Sequence, residues 1–244
     1  MDWTDEGIVI AARKHGESAV ILSLLTRDHG RHAGLVRGGA SARVRGVYQT
    51  GNLVTAHWRG RLEEHLGSYS CELARGYAGP LLDDANRLGA LNAFCALLER
   101  ALPEREPHPA LFEDSLHLLD LLSLPANDSQ WAPAYVRWEM ALLRDMGYGL
   151  DLESCAITGE TDGLAYVSPN TGRAVTAQAG EPWREKLLKL PDFLQENGEG
   201  HDGADPAAVR DGLALTGWFL ERHVFAPQNL NLPAARARFV EAFR

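Results

Sequence analysis

The chain has 244 residues, of which 45% are hydrophobic and 23% are charged, and its formal net charge at pH 7 is −9. This composition is typical of a globular protein of one or two domains with a sizeable core. No run approaches the roughly 18 apolar residues that a membrane helix needs, and the N-terminus lacks the basic-then-apolar order of a signal peptide. The sequence therefore predicts a cytoplasmic protein that does not enter a membrane.

About the first 75 residues alternate between apolar and polar side chains and carry turn residues at short intervals, which predicts β-strands. In the fourth run, Val54, Ala56 and Trp58 share one face and leave Arg59 and Arg61 on the other, together with a threonine and a histidine. Five short strands with one long connection before the fourth predict a Greek-key barrel, most simply an OB-fold, over residues 1–79. The five runs are residues 7–14, 18–26, 31–37, 52–61 and 65–73.

From Pro80 onward the hydrophobic period becomes helical. The sequence predicts an all-helical domain over residues 80–244, with a central helix from about Pro133 to Gly147. A small irregular insert covers about 151–178, and residues 196–203 have the composition of a disordered segment. The expected fold is α+β and multidomain. The other predicted helices carry apolar stripes within 88–102 and 111–122, or cover residues 182–195, 206–220 and 233–243.

Charge is unevenly distributed along the chain. Residues 1–80 hold 10 basic and 8 acidic side chains, a net of +2, whereas residues 81–244 hold 14 and 25, a net of −11. No acidic residue lies between Asp28 and Glu63, so this window is expected to attract polyanions such as DNA. The alternative is a solvated surface whose arginines pair with the acidic half. The predicted DNA-binding residues are Arg31, Arg37, Arg43, Arg45, Arg59 and Arg61.

The three cysteines, Cys71, Cys95 and Cys155, are odd in number, far apart and without a CxxC spacing. They exclude a disulfide framework and a zinc site that is evident from sequence. We expect reduced and mostly buried thiols.

The usual local signatures of catalysis, such as the P-loop, GxGxxG, HExxH and GxSxG patterns, are missing. We predict that the chain is not an enzyme and has no catalytic residues, no cofactor and no metal. A nucleophilic pair of Cys71 or Cys155 with a histidine needs only spatial proximity and stays open. His29 and His32 are interpreted as turn and strand surface that adds to the basic field, because no third histidine stands near them in sequence.

Four stretches stand in order along the chain: residues 7–10 with 17–26, Gly30-Arg31 with 35–41, residues 137–148, and Cys155 through Ser168-Pro169 to Gly172. Together they resemble the RecO family of bacterial DNA repair and recombination-mediator proteins. The resemblance implies an OB-fold, a helical C-terminal domain, binding of single- and double-stranded DNA and strand annealing. It also implies partnership with RecR and with the acidic tail of single-stranded DNA-binding protein, ending in the loading of RecA in the nucleoid.

Some members of this family hold zinc with four cysteines in the region that corresponds to the insert. Here only Cys155 remains, and Thr158 stands where a CxxC would place the second cysteine. One thiolate cannot complete the tetrahedral shell of structural zinc, so we expect the insert to be a degenerate, metal-free zinc finger.

The acidic tail that the resemblance implies ends in an aromatic residue and a carboxylate, so it needs an apolar slot beside a cation. Arg137 with Trp138 on the central helix is the predicted partner-binding pair, together with Arg144, and Lys186 and Lys189 are next in line. The alternative for Trp138 is a place in the core. The alternative for the whole chain is a helical protein–protein adaptor with a purely structural barrel, which has no need of the arginines between Arg37 and Arg45.

Overall fold

The computed structural model describes residues 1–124, 130–195 and 205–243. The chain forms two compact units, one of Met1–Ser123 with Pro233–Phe239 and one of Leu124–Leu232 with Val240–Arg244. The predicted boundary between residues 79 and 80 stays a prediction, and the tract 196–203 lies outside the described residues. Within the described part, no helix is long and apolar enough to cross a membrane.

The first unit contains the five predicted strands, which close into a barrel in the order β1-β2-β3-β5-β4. Neighbouring strands run antiparallel except for β3 and β5, which meet in parallel at Leu35 and Ser68. A five-stranded closed barrel confirms the OB-fold prediction. The strands are β1 (Asp2–His15), β2 (Ala19–Thr26), β3 (Gly30–Val36), β4 (Leu53–Arg59) and β5 (Ser68–Arg75).

The strand β1 closes the barrel because it is long enough to pair with two neighbouring strands. Residues 2–8 pair with β4 and residues 7–15 pair with β2, with an irregularity in register between Val9 and Ala11. Bulges of this kind bend a strand and increase its twist. Inside, the alternating residues of β4 meet those of the other strands, as predicted. The buried cluster consists of Val9, Leu22, Leu24, Val36, Tyr48, Val54, Ala56, Trp58 and Tyr69.

Two helices follow the barrel in the first unit. The helix α1 (Ala85–Ala101) begins at Asp84, whose carboxylate accepts hydrogen bonds from two backbone amides of the first turn. It packs against β1, where the Cys95 thiol lies 3.9 Å from the carbonyl oxygen of Val9. The helix α2 (Pro109–Leu122) buries its predicted apolar stripe.

The second unit is helical with a small sheet. Its helices are α3 (Trp131–Asp145), the short α4 (Ala177–Gly180) and α5 (Pro206–Phe219), which continues into a π-helical turn, Leu220–Phe225. The insert contributes two strands, β6 (Leu164–Val167) and β7 (Ala174–Thr176). With β8 (Leu188–Lys189), which follows the insert, they form a three-stranded sheet in the order β7-β6-β8. The last helix, α6 (Ala234–Glu241), replaces the predicted 233–243, and most of it belongs to the first unit.

The helix predicted over residues 182–195 is wrong. The segment forms a 3-10 helix, Glu181–Lys186, then β8, then a single 3-10 turn, Asp192–Leu194. Leu188 pairs with Val167 of β6, so a tertiary contact overrides the local helical pattern. Pro191 also opposes a helix, because it lacks an amide hydrogen and restricts the residue before it.

Candidate nucleic-acid interface

The connection between β3 and β4, residues 37–51, carries three of the predicted arginines and is called the basic loop below. Tight turns hold it together, among them hydrogen bonds from the amides of Val44 and Arg45 to the carbonyl oxygen of Ser41, at 3.3 and 3.1 Å. Tyr48 belongs to the buried barrel cluster, and Val44 and Val47 pack against it. The loop is therefore anchored on the barrel core rather than free in solvent.

The arginines of the basic loop point the other way. Arg43 and Arg45 flank the half-buried Val44 and are exposed, and Arg37 is exposed directly after β3. In the part of the chain that the structure describes, none of the three forms an ion pair. Three uncompensated guanidinium groups on one anchored loop create a local positive field in an acidic protein.

Arg59 and Arg61 form a second group. Arg59 is exposed on the outer face of β4, as predicted, and Arg61 is exposed just beyond the end of that strand. Arg59 pairs with Ser68, which in turn pairs with Leu35 near the end of β3. Since strands lie about 4.8 Å apart, Leu35 and Arg59 are about 10 Å from each other. The end of β3, which leads into the basic loop, therefore lies near the second group.

Arg31 differs from the other five arginines. Its Nε donates to the carbonyl oxygen of Leu102 at 2.8 Å, and its Nη1 lies 3.3 Å from Glu104. The backbone of the same segment also packs closely on β3, since a Cβ on Gly30 would lie 2.0 Å from the carbonyl oxygen of Glu106. A DNA contact by Arg31 stays a prediction, but its guanidinium already binds the connection between α1 and α2.

Several acidic side chains of the first unit pair with arginines outside the basic loop. Arg13 lies 2.6 Å from Glu99, and Arg75 lies 2.6 Å from Asp120. These two carboxylates are thus paired outside the basic loop. The alternative in which the loop arginines pair with the acidic half of the chain finds no support among the described residues.

The prediction that His32 lies on the strand surface and adds to the basic field is wrong. His32 is only 3% exposed, and its Nδ1 lies 2.7 Å from the hydroxyl of Tyr69. Burial lowers the pKa of His32 to about 4, and the charges of Arg105 and His29 act in the same direction. His32 is therefore neutral at pH 7 and adds nothing to the basic field.

His29 also differs from expectation, because a carboxylate distant in sequence faces it. Its Nδ1 lies 2.9 Å from the buried carboxylate of Asp5, and its ring stacks on Trp3 with centroids 4.0 Å apart. Trp3 in turn stacks on Trp58. The aromatic rings near this end of the barrel pack on each other, and the exposed large apolar side chains of the described first unit include no aromatic residue.

The predicted partner-binding residues lie on α3. Trp138 is 2% exposed, which is the core position named as its alternative. The guanidinium of Arg137 donates to the carbonyl oxygen of Phe193 at 2.9 and 3.2 Å, and burial lowers its pKa. Arg144 is exposed in the last turn. A role of these residues in binding a partner stays a prediction, although Trp138 does not offer an open slot.

The residues of the insert do not fit a zinc ion. The Sγ of Cys155 accepts from the amide of Thr176 at 3.4 Å and lies 3.7 Å from the hydroxyl of the same residue. Burial alone would raise the pKa of this thiol, but hydrogen bonds from Thr158, Thr176 and Ile157 bring it to about 6. In the described ranges, no three His, Cys, Asp or Glu side chains are grouped to hold a metal. The expected absence of metal stays a prediction.

One exposed cation near the basic loop was not identified from the sequence. Lys14 is exposed near the end of β1, before the acid-free window that begins after Asp28. Only the register of β1, β2 and β3 brings it to the side of the basic loop, so no local pattern signals it.

The architecture defines a class: an OB-fold barrel with an arginine loop anchored on its core, joined to a helical unit with a small sheet. Residues 1–77 match the family model described as recombination protein O N terminal, and residues 82–231 match recombination protein O C terminal. The chain therefore belongs to the RecO family.

Relatives of high identity cover the whole chain. A DNA repair protein RecO from Rhodospirillum centenum is 55% identical over all of this chain and 95% of its own length. Its counterpart from Rhodospirillum rubrum is 54% identical over 100% and 97% of the two chains. That from Methylobacterium nodulans is 51% identical over 98% and 97%. The similarity thus covers both units.

Proposed function

We propose that this chain is a DNA repair protein of the recombination-mediator type. It binds single- and double-stranded DNA, anneals complementary strands, and acts with RecR and single-stranded DNA-binding protein to load the RecA recombinase on coated strands. The observation that carries the proposal is the group of five exposed arginines on the barrel, which form no ion pair with a described residue. The relatives named DNA repair protein RecO support the same assignment.

The surface chemistry favours contacts with phosphate over contacts with bases. A guanidinium is planar, always charged and matches the geometry of phosphate oxygens. Base stacking needs exposed aromatic rings, and the large aromatic side chains of the barrel are packed inward. Phosphate contacts carry no direct sequence information, so binding is expected to tolerate any sequence and both strand states.

Annealing by such a surface requires no catalytic group, and we propose that the chain is not an enzyme. Two strands that are held with part of their charge neutralised repel each other less, and base pairing then supplies the free energy. The net charge of −11 over residues 81–244 limits how tightly DNA is held and favours release to a partner. We place this activity in the cytoplasm, at the nucleoid.

Titration of a labelled oligonucleotide at several salt concentrations tests the DNA-binding step. If all five exposed arginines contact phosphates of a single strand, log affinity should fall with log salt with a slope of about −3.5. Replacing Arg43 and Arg45 together with Ala should reduce the magnitude of that slope by about 1.4.

The matched control is Arg222→Ala, which removes an exposed cation from the π-helical turn of the second unit. Its slope should equal that of the wild type. A double variant that binds like the wild type would show that Arg43 and Arg45 do not touch DNA.

A further inference from the structure

The hairpin between β1 and β2 stands beside the basic loop. Lys14 pairs with Val20 of β2, and Val20 pairs with Val36 of β3. Residues that are directly opposite in paired strands share a face of the sheet. Val20 and Val36 are buried. Lys14 therefore lies on the same side of the sheet as these two valines, where the hairpin extends past the core.

The basic loop crosses the barrel on this side. The amide of Ala40 donates to the carbonyl oxygen of Ser18 at 3.0 Å, which ties the loop to the hairpin. A Cβ on Gly39 would lie 3.0 Å from Val36 and 3.3 Å from Val20, so the loop backbone rests against both strands. Lys14 and the first residues of the basic loop are thus neighbours, although more than 20 residues separate them in sequence.

The two cations at the end of β1 have different surroundings. Arg13 pairs with Ile21 on the opposite face and lies 2.6 Å from the carboxylate of Glu99. Lys14 is exposed and forms no ion pair with any residue that the structure describes. A cation without a carboxylate partner has its full charge available to an incoming anion.

We propose that Lys14 is a further phosphate-binding residue, and that the hairpin end and the basic loop form one binding surface for a nucleic-acid backbone. The proposal rests on the proposed function and deepens it. Lysine suits a position at the edge of such a surface, because its ammonium is a compact charge on a flexible stem that reaches phosphates of differing geometry. The loop arginines then supply the less flexible contacts on the same side.

The lysine content of the chain allows a direct footprint. The chain has three lysines, Lys14, Lys186 and Lys189, and Lys14 alone lies in the first unit. Lys186 lies over the ring of Trp183, and Lys189 pairs with Asp211 at 3.0 Å. The other two lysines are therefore internal controls in the unmodified protein.

The first experiment acylates the full chain with an amine-reactive reagent, with and without a saturating oligonucleotide, and quantifies each lysine by mass spectrometry. The proposal predicts that DNA slows the acylation of Lys14 several-fold and leaves Lys186 and Lys189 unchanged. Equal acylation of Lys14 with and without DNA overturns it.

The second experiment compares salt slopes. Lys14→Ala should reduce the slope for a single strand by about 0.7, Lys14→Arg should restore it, and Arg222→Ala should not change it. If Lys14→Ala matches the wild type while the double replacement of Arg43 and Arg45 lowers the slope, this inference fails and the proposed function stands. If the wild type itself shows no salt-dependent binding, the proposed function fails.

Discussion

The cations of the basic loop in the first unit differ from those around the small sheet of the second unit. In the second unit, Arg173 lies 3.0 Å from Asp151, and Lys189 lies 3.0 Å from Asp211, so these positive charges are compensated locally. In the first unit, the cations of the basic loop have no such partners among the described residues. A net charge therefore does not locate a polyanion site. An acid-free stretch that the fold holds on the surface predicts such a site more directly, even in a chain whose formal charge is −9.

The largest loss of stability is expected for a substitution in the aromatic core of the barrel. The replacement of an exposed aromatic residue of the second unit should cost much less. Trp58 is 1% exposed, and its Nε1 donates to the carbonyl oxygen of Leu66 at 3.0 Å. Trp58→Ala should lower the free energy of unfolding by about 3–5 kcal/mol, because it leaves a cavity. Trp183, which is 57% exposed, is the control, and its replacement by Ala should cost less than about 0.5 kcal/mol. Denaturant titrations measure both, and similar losses would contradict the inward packing.

A pH dependence of the unfolding free energy, of intermediate size, is expected from His32 in the barrel. The pKa of His32 is about 4 in the folded protein and 6.5 in its ordinary state, so the unfolded chain binds an additional proton between these values. Stability should therefore fall as pH drops from 6.5 toward 4, by at most about 1.4 kcal/mol per pH unit from this residue. The unfolding free energy of His32→Gln, measured over the same range, should show a smaller slope. Equal slopes would show that His32 is not held neutral by the fold.

A smaller effect is expected in the insert of the second unit. Cys155→Ala leaves the amide of Thr176 without its sulfur acceptor and should cost about 1–3 kcal/mol in unfolding free energy. Cys155→Ser retains an acceptor atom and should recover part of the loss. Thermal unfolding of the set measures the difference, and an alanine variant as stable as the wild type would remove the sulfur from any structural role.

A chelator should have no effect on either unit. Because Cys155 is the only cysteine of the insert and one thiolate cannot hold structural zinc, EDTA should leave the melting temperature unchanged, and the purified protein should contain no stoichiometric zinc. Atomic absorption and a melting curve test this. One zinc per chain, or a lower melting temperature with EDTA, would require ligands that the described residues do not group together.

The barrel strands were predictable because their signal is local. Alternation along β4 predicts Trp58 inside and Arg59 outside, and both positions are confirmed. The same locality explains the helical stripes of α1 and α2. Where burial follows from the period of one element, the sequence alone is sufficient.

The environment of individual charges was not predictable, because it depends on contacts between distant segments. Arg31 meets Leu102 and Glu104, more than 70 residues away, and the segment 182–195 follows its pairing with β6 instead of its own pattern. Lys14 joins the basic loop only through strand register. Sequence spacing therefore identifies the arginine-rich region but does not show which of its cations lack a carboxylate partner in the fold.

Annealing of complementary strands is the decisive measurement for the claim that the unpaired cations of the barrel hold DNA. Rates are measured without ATP for the full chain, for the variant with Arg43 and Arg45 both replaced by Ala, for Arg222→Ala and without protein, on naked strands and on strands coated with single-stranded DNA-binding protein. We expect the full chain and Arg222→Ala to accelerate annealing on both substrates and the double variant to lose most of the acceleration. Equal rates for the full chain and the protein-free control would contradict this claim and leave the adaptor alternative.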